Sequence, residues 1–122
     1  VLPLPASRSG LTRLLERIAA EGTGSFLAVL KLFGAGDADG GWLSFPMAGY
    51  TLALDFPATA GNFALLTELD AIVADHGGRL YLAKDARMGT ALLRQGYGDG
   101  LEHFLTRRDA RFHSVLSQRL GL

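Results

Sequence analysis

The sequence has no cysteine, no excess of either charge and no long apolar run. Without cysteine, the chain has no disulfide framework, no thiolate nucleophile and no zinc–thiolate site. Twelve acidic side chains balance twelve basic ones, so the basic surplus typical of a nucleic-acid-binding protein is missing. No run approaches the roughly 18 apolar residues of a membrane-spanning helix, and the stretch "VLPLPASRSG" lacks the regions of a signal peptide.

The composition that remains is that of a small globular domain. Apolar residues make up 48% of the 122 residues and charged residues 20%. This length suits one modest hydrophobic core. The three histidines, His76, His103 and His113, show no metal-ligand spacing, and we expect each at a surface or a helix end. No phosphate-binding loop, nucleophile elbow or zinc-protease motif is present, so motifs alone name no reaction and no metal.

Two segments have the apolar spacing of helices. The first follows Ser9, with Ser7 or Ser9 as the expected N-cap and Gly22 as the stop. Its stripe consists of Leu11, Leu14, Leu15 and Ile18. The second lies between Ala60 and His76 and ends at a pair of glycines. Both predict helices with one buried side.

Four segments have the composition of strands. "VLPLP", residues 1–5, suits a sheet edge because proline donates no ladder hydrogen bond. "SFLAVLKLFG", residues 25–34, is expected in the sheet centre, and a loop, "GAGDADGG", links it to a strand over Gly49–Phe56. The fourth strand runs from Arg79 to about Ala83. The order predicts an α+β, ferredoxin-like β-α-β-β-α-β fold, an antiparallel sheet with both helices on one face.

After Asp85 the sequence predicts a helical C-terminal tail in three short pieces with narrow apolar stripes. Such helices need a surface to lie against, and a four-stranded sheet already covered by two helices offers little. We therefore expect the tail to dock onto another domain, or onto a second copy of the chain.

Two lysines stand in apolar strand segments, Lys31 in the middle of one and Lys84 at the end of another. A buried, unpaired ammonium is costly, so each lysine extends to solvent or pairs with Asp55 or Asp85, unless the two bind an anionic or electron-rich ligand. Strict alternation places Tyr81 and Lys84 on opposite faces. The two side chains lie on one side only if the strand ends or twists before Lys84.

Five strings carry a resemblance in their order and spacing: "SFLAVLKLFG", "LSFPMAGYTLALDFP", "ELD", "GGRLYLAKDAR" and "FHSVLSQRL". Together they resemble the C-terminal part of decaprenylphosphoryl-β-D-ribose 2′-oxidase-like FAD-linked oxidoreductases, within the vanillyl-alcohol-oxidase-type flavoprotein family. The resemblance covers essentially the whole chain. It implies that residues 1–78 end a substrate-binding domain and that residues 79–122 return to complete the FAD-binding domain. The N-terminal FAD-binding half has no counterpart here, so it implies a fragment that is inactive and retains no FAD by itself.

The resemblance also implies site residues, position by position. Those matching cofactor-binding positions are Lys84 and Tyr81, and those matching substrate-binding positions are Lys31, Phe33, Asp55 and Ala53. Ala53 stands where some members have a cysteine, so no thiol-directed inhibitor would react here. Oxidation chemistry is unaffected because the flavin carries it.

The activity implied by the resemblance is oxidation of a sugar or alditol hydroxyl by hydride transfer to flavin N5, where a fixed ammonium would stabilise developing negative charge. The implied partners are the N-terminal FAD-binding domain of the same protein, a sugar or polyprenyl-phosphate sugar, and a second copy of the fragment in a homodimer. The implied location is cytoplasmic, with membrane association through a lipid-linked substrate.

A second hypothesis is a stand-alone ferredoxin-like binding or dimerisation module without catalysis. A third, an RNA-binding module, is disfavoured because the chain lacks a basic surplus and paired strand aromatics.

Overall fold

The protein is described from a computed structural model, which covers residues 1–36 and 40–122. Part of the predicted loop "GAGDADGG", residues 37–39, lies outside the described residues. In chain order the elements are β1 Leu2–Pro3, α1 Leu4–Glu21, β2 Ala28–Phe33, β3 Gly49–Leu54, α2 Ala60–Asp75, a 3-10 turn Leu82–Lys84, α3 Thr90–Arg107 and α4 Val115–Leu120. The α+β fold class and the helical C-terminal tail are confirmed.

Helix α1 buries Leu14 and Ile18 of the predicted stripe, whereas Leu15 is 54% exposed, and the helix ends at Gly22 as predicted. The expected N-cap at Ser7 or Ser9 is wrong, because the helix already begins at Leu4, after Pro3 in extended conformation. Ser7 lies inside the first turns instead. Its hydroxyl contacts the carbonyl oxygens of Leu2 and Pro3, both at 2.9 Å, and so ties the helix to β1.

The sheet has three antiparallel strands in the order β1-β3-β2. Strand β3 therefore lies in the centre, and the expectation that β2 would be central is wrong. The apolar residues of β2 suggested burial on both faces, yet Leu30 and Leu32 are 54% and 60% exposed. They lie on the outer strand of the sheet, whereas helix α1 packs on β1 and β3.

The predicted fourth strand, Arg79 to about Ala83, is reduced to a single residue pair. The Arg79 N–H donates to the Val1 carbonyl at 3.0 Å, and the Val1 amino group donates to the Arg79 carbonyl at 2.9 Å. Arg79 thus lies beside β1, where a ferredoxin-like fold has its fourth strand. After Arg79 the chain forms no further strand pair with the described residues of β1. It continues into the 3-10 turn Leu82–Lys84.

Two groups of buried side chains form the interior. The first joins β1, α1 and α2 and consists of Leu2, Leu14, Ile18, Leu65, Leu69, Ile72 and Val73. The second belongs to the C-terminal part and consists of Met88, Leu93, Tyr97, Leu101 and Leu120. Leu80 packs against both. The groups meet close to the predicted boundary at residue 78, although the assignment of the two parts to different domains stays a prediction.

The C-terminal tail packs within the chain. Helix α3 unites two of the predicted pieces across a break at Gly98, whose φ of 44° and ψ of −127° are not helical. A positive φ of this kind is costly for residues with a Cβ. Helix α4 adds Leu120 to the second buried group, while Phe112 and Val115 remain 77% and 84% exposed. Among the described residues, no helix has both the length and the apolar character to cross a membrane.

Candidate functional site

One face of the sheet, opposite α1 and α2, carries most of the predicted site residues. Strand alternation places Val29, Lys31 and Phe33 on this face of β2, beside Thr51 and Ala53 of β3. The register aligns them in rows, because Lys31 is paired with Thr51 and Val29 with Ala53. This surface, here called the open face, is the floor of the candidate site.

A cavity of about 390 Å³ lies over the open face. Its lining consists of Val29, Lys31, Phe33, Phe45, Pro46, Thr51, Ala53, Tyr81 and Lys84, and it is called the lysine cavity below. Five of the six predicted site residues line it. The sixth, Asp55, lines a smaller adjoining cavity of about 170 Å³, which shares Ala53, Tyr81 and Lys84 with the lysine cavity.

The 3-10 turn explains how Tyr81 and Lys84 line one cavity. The Lys84 N–H donates to the Tyr81 carbonyl at 3.2 Å, and residues three apart in a 3-10 turn lie on the same side. The chain therefore leaves the extended conformation before Lys84, as the shared pocket required.

Aromatic rings connect the floor of the cavity to this turn. The ring of Phe45 meets Phe33 edge-on, with centroids 6.0 Å apart and planes at 88°. On its other side Phe45 packs on Tyr81, with centroids 4.8 Å apart. Both separations suit favourable aromatic pairs. The loop residue Phe45 thus bridges β2 and the segment that carries Lys84.

Both lysines of the chain line this cavity; the other ten of the twelve lysine and arginine side chains are arginines. Lys31 and Lys84 are exposed, and within residues 1–36 and 40–122 neither side chain forms a hydrogen bond or an ion pair. The expected alternative of a pair with Asp55 or Asp85 is wrong: among the described residues Asp55 forms no ion pair, and Asp85 pairs with Arg119 at 2.8 Å. The cavity therefore presents two ammonium groups to solvent.

Four lining residues were not predicted as site residues. Val29 and Thr51 could have been found, since alternation places them on the same faces as Lys31 and Ala53. Phe45 and Pro46 lie in the loop before β3, and no periodicity marks a loop residue that folds back over a sheet.

The turn after Lys84, residues 85–88, is anchored by charged hydrogen bonds. One carboxylate oxygen of Asp85 accepts the N–H groups of Arg87 at 2.9 Å and Met88 at 2.7 Å, and the other accepts from Arg119. Burial raises the pKa of Asp85, but the two backbone hydrogen bonds and Arg119 outweigh it and hold this pKa below its ordinary value.

Arg87 joins the same turn to α2. Its guanidinium pairs with Asp70 at 2.7 Å and donates to the Leu66 carbonyl at 2.8 Å. Burial raises the pKa of Asp70 above its ordinary value, and the nearby charge of Arg87 opposes this only in part. The segment behind Lys84 is therefore held from both α2 and α4.

Most of this chain is similar to parts of two longer bacterial proteins. An uncharacterized protein in the mprA 5′ region of Streptomyces coelicolor is 45% identical over 118 residues, which are 92% of this chain. The decaprenylphosphoryl-beta-D-ribose oxidase of Mycolicibacterium smegmatis is 41% identical over 113 residues, which are 89% of this chain. No family model matches the chain.

The similarity covers only a fraction of each relative. The chain spans 31% of the length of the Streptomyces protein and 24% of the length of the Mycolicibacterium oxidase. It therefore corresponds to one part of each larger protein.

Proposed function

We propose that this chain is part of an FAD-dependent oxidoreductase that oxidises a sugar or alditol hydroxyl, of the ribose 2′-oxidase type. The observation that carries the proposal is the lysine cavity, which is lined by both lysines of the chain and by the rings of Phe33, Phe45 and Tyr81. The similarity to an oxidase over 89% of the chain supports it. In this proposal the chain supplies one wall of the site.

The donors in the cavity suit FAD. Lys84 offers a cation without an ion-pair partner in the described part of the chain, and Tyr81 next to it offers an aromatic face and a hydroxyl. When bound, FAD would supply the hydride acceptor. Lys84 would place a fixed positive charge near the electron-rich edge of the ring system, where a preorganised charge is most effective because it needs no reorganisation.

The substrate side of the cavity is assigned to β2 and β3. Lys31 suits a sugar hydroxyl or the phosphate of a polyprenyl-phosphate sugar, since an ammonium has three donors and binds phosphate as a point charge. Phe33 gives the sugar an apolar surface, and Ala53 leaves room beside it. Asp55, in the adjoining cavity, would contact a substrate group that extends past Ala53.

The proposal divides the chain into two parts at residue 78, close to the place where the two groups of buried side chains meet. Residues 1–78 belong to a substrate-binding domain and residues 79–122 to the FAD-binding domain, whose N-terminal half is the required partner. The cation of Lys84 would then come from the second part and that of Lys31 from the first. The alternative of a stand-alone binding or dimerisation module is not favoured by the similarity of the chain to parts of two longer proteins.

A chimera tests the proposal directly. The matching 113 residues of the Mycolicibacterium oxidase are replaced by those of this chain, and the purified protein is examined for a visible flavin absorption band and for oxidation of decaprenylphosphoryl-β-D-ribose. We expect the band and measurable oxidation. A folded chimera that lacks the flavin band would contradict the FAD assignment. A flavin-loaded chimera that oxidises neither this substrate nor simple sugars and alditols would contradict the proposed reaction.

A further inference from the structure

Arg119, on the C-terminal helix α4, clamps the turn that follows Lys84. One terminal nitrogen of its guanidinium donates to the Asp85 carboxylate at 2.8 Å, and the other donates to the Met88 carbonyl at 2.5 Å. The two acceptors lie at the two ends of the turn. A planar guanidinium bonds both at once, which a single ammonium does less well.

Asp85 connects Arg119 to Lys84, because it binds Arg119 and is the next residue in the chain after Lys84. Its side chain is only 5% exposed, and its two oxygens together accept hydrogen bonds from Arg87, Met88 and Arg119. The Asp85 N–H donates to the Leu82 carbonyl at 3.3 Å, within the 3-10 turn. We therefore infer that the hydrogen bonds of Asp85 fix the backbone on the C-terminal side of Lys84, and with it the orientation of the Lys84 side chain.

Helix α4 is short, yet both of its ends are held. Ser114 and Ser117 exchange hydrogen bonds in a capping box at its start, and the Leu122 N–H donates to the Ser117 carbonyl at its end. Leu120, next to Arg119, is fully buried against α3. Arg119 is thus presented to the turn from a fixed support.

We propose that Arg119 is a positioning residue for Lys84: through Asp85, it holds the turn that directs the Lys84 ammonium into the lysine cavity. The inference rests on the proposed function for the role that it gives Lys84. It makes the C-terminal helix a part of the site, although no residue of α4 lines the cavity.

The two lysines allow a spectroscopic test on this chain itself. Reductive methylation with ¹³C places a reporter on Lys31 and on Lys84, and the NMR signals are assigned with Lys31→Arg and Lys84→Arg. Three further variants are compared with the unsubstituted chain: Arg119→Met, which removes the clamp, Arg119→Lys, which keeps its charge, and Arg17→Met. The last removes an ion-paired arginine on α1, with Glu68 at 2.6 Å, and serves as the control.

We expect Arg119→Met to shift the Lys84 signal and leave the Lys31 signal in place, Arg119→Lys to restore part of the shift, and Arg17→Met to shift neither. An unchanged Lys84 signal in folded Arg119→Met would overturn the proposal, and so would equal shifts of both lysines. If Arg119→Met does not fold, Arg119→Gln decides by the same criterion, because it retains one donor for Met88 and loses the ion pair. No flavin or sugar enters this measurement, so its outcome is separate from that of the chimera.

Discussion

Tyr81 and Lys84 line one cavity because a single 3-10 turn joins them, with the Lys84 N–H bonded to the Tyr81 carbonyl at 3.2 Å. In an extended strand the two side chains would point to opposite faces of the sheet. The 3-10 turn thus brings the Lys84 side chain to the cavity that the Tyr81 ring also lines. The position of Lys84 therefore depends on the contacts that stabilise this turn.

The two lysines are expected to act separately in the chimera. Lys84→Met should weaken flavin binding, and Lys31→Met should raise KM while the flavin band remains. A charge-assisted hydrogen bond contributes about 1.5–3 kcal/mol, so each effect should be roughly tenfold to a hundredfold. Flavin titration and steady-state kinetics measure them.

Exposed Arg13→Met on α1 is the matched control and should change neither quantity. In the isolated chain both lysine variants should change the free energy of unfolding by less than about 0.5 kcal/mol, because the lysines are exposed. Equal effects of Lys31→Met and Lys84→Met on flavin binding would contradict the separate roles.

The stabilising effect of Asp85 is expected to depend on pH. The pKa of Asp85 is lowered in the folded chain, so its contribution is present above the ordinary carboxyl pKa and is lost as pH falls through the folded value. Asp85→Asn should therefore cost on the order of 2 kcal/mol near neutral pH, and less below about pH 4. Denaturant unfolding at a series of pH values measures this difference.

Asp70→Asn is the control, because its effect on stability should change with pH in the direction opposite to that of Asp85→Asn. Burial raises the folded pKa of Asp70, so the wild-type chain loses stability relative to Asp70→Asn as pH rises from the ordinary carboxyl pKa through the folded value. If the two variants showed the same slope against pH, the assignment of one raised and one lowered pKa would be wrong.

Ser7→Ala is expected to loosen β1 from the rest of the sheet. The Ser7 hydroxyl contacts the Leu2 and Pro3 carbonyls and accepts the Tyr50 N–H at 3.3 Å, and Ser7 is 2% exposed. Without the hydroxyl these backbone groups lose a partner, which costs about 1–3 kcal/mol. Unfolding by urea measures the loss.

Ser9→Ala, on the same helix, is the comparison for Ser7→Ala. Its hydroxyl makes one exposed hydrogen bond, to the Ala6 carbonyl at 3.1 Å, so a change within about 0.5 kcal/mol is expected. A cost at Ser9 as large as that at Ser7 would show that the effect is one of helix propensity and not of the tie to β1.

Gly100→Ala is expected to displace the loop that carries Phe45. A Cβ at Gly100 would collide with the carbonyl oxygen of Trp42, so the loop and α3 must separate, at about 1–3 kcal/mol. Trp42 is the single tryptophan, and its ring lies 6.3 Å from the ring of His103 and 5.6 Å from the Arg107 guanidinium. Its fluorescence should therefore change together with the free energy of unfolding.

Gly61→Ala controls for replacement of a helical glycine. A Cβ there meets no atom of the described residues within 4 Å, and alanine favours helix, so a gain of about 0.5–1 kcal/mol is expected. Unchanged fluorescence and stability in Gly100→Ala would mean that the loop does not pack on α3 as described.

Much of the fold could be predicted because its signals are local. The stripe of Leu14 and Ile18 follows from a period of 3.6 residues, and the open-face residues Lys31 and Ala53 follow from a period of two. The N-cap of α1 could not be predicted, because Ser7 has tertiary partners on β1 and β3 that compete with a capping role.

By itself, the sequence determined the α+β fold class, the helical C-terminal tail and most of the helix stripes, because these depend on residue spacing. The six candidate site residues came from the resemblance that the order of its motifs carries. Only the tertiary structure decided that β2 is an edge strand and that the fourth strand is reduced to the pair of Arg79 with Val1. It also decided that Asp85 pairs with Arg119 and not with a lysine. Strand neighbours and ion-pair partners lie far apart in the chain, and packing selects among several partners that the sequence allows.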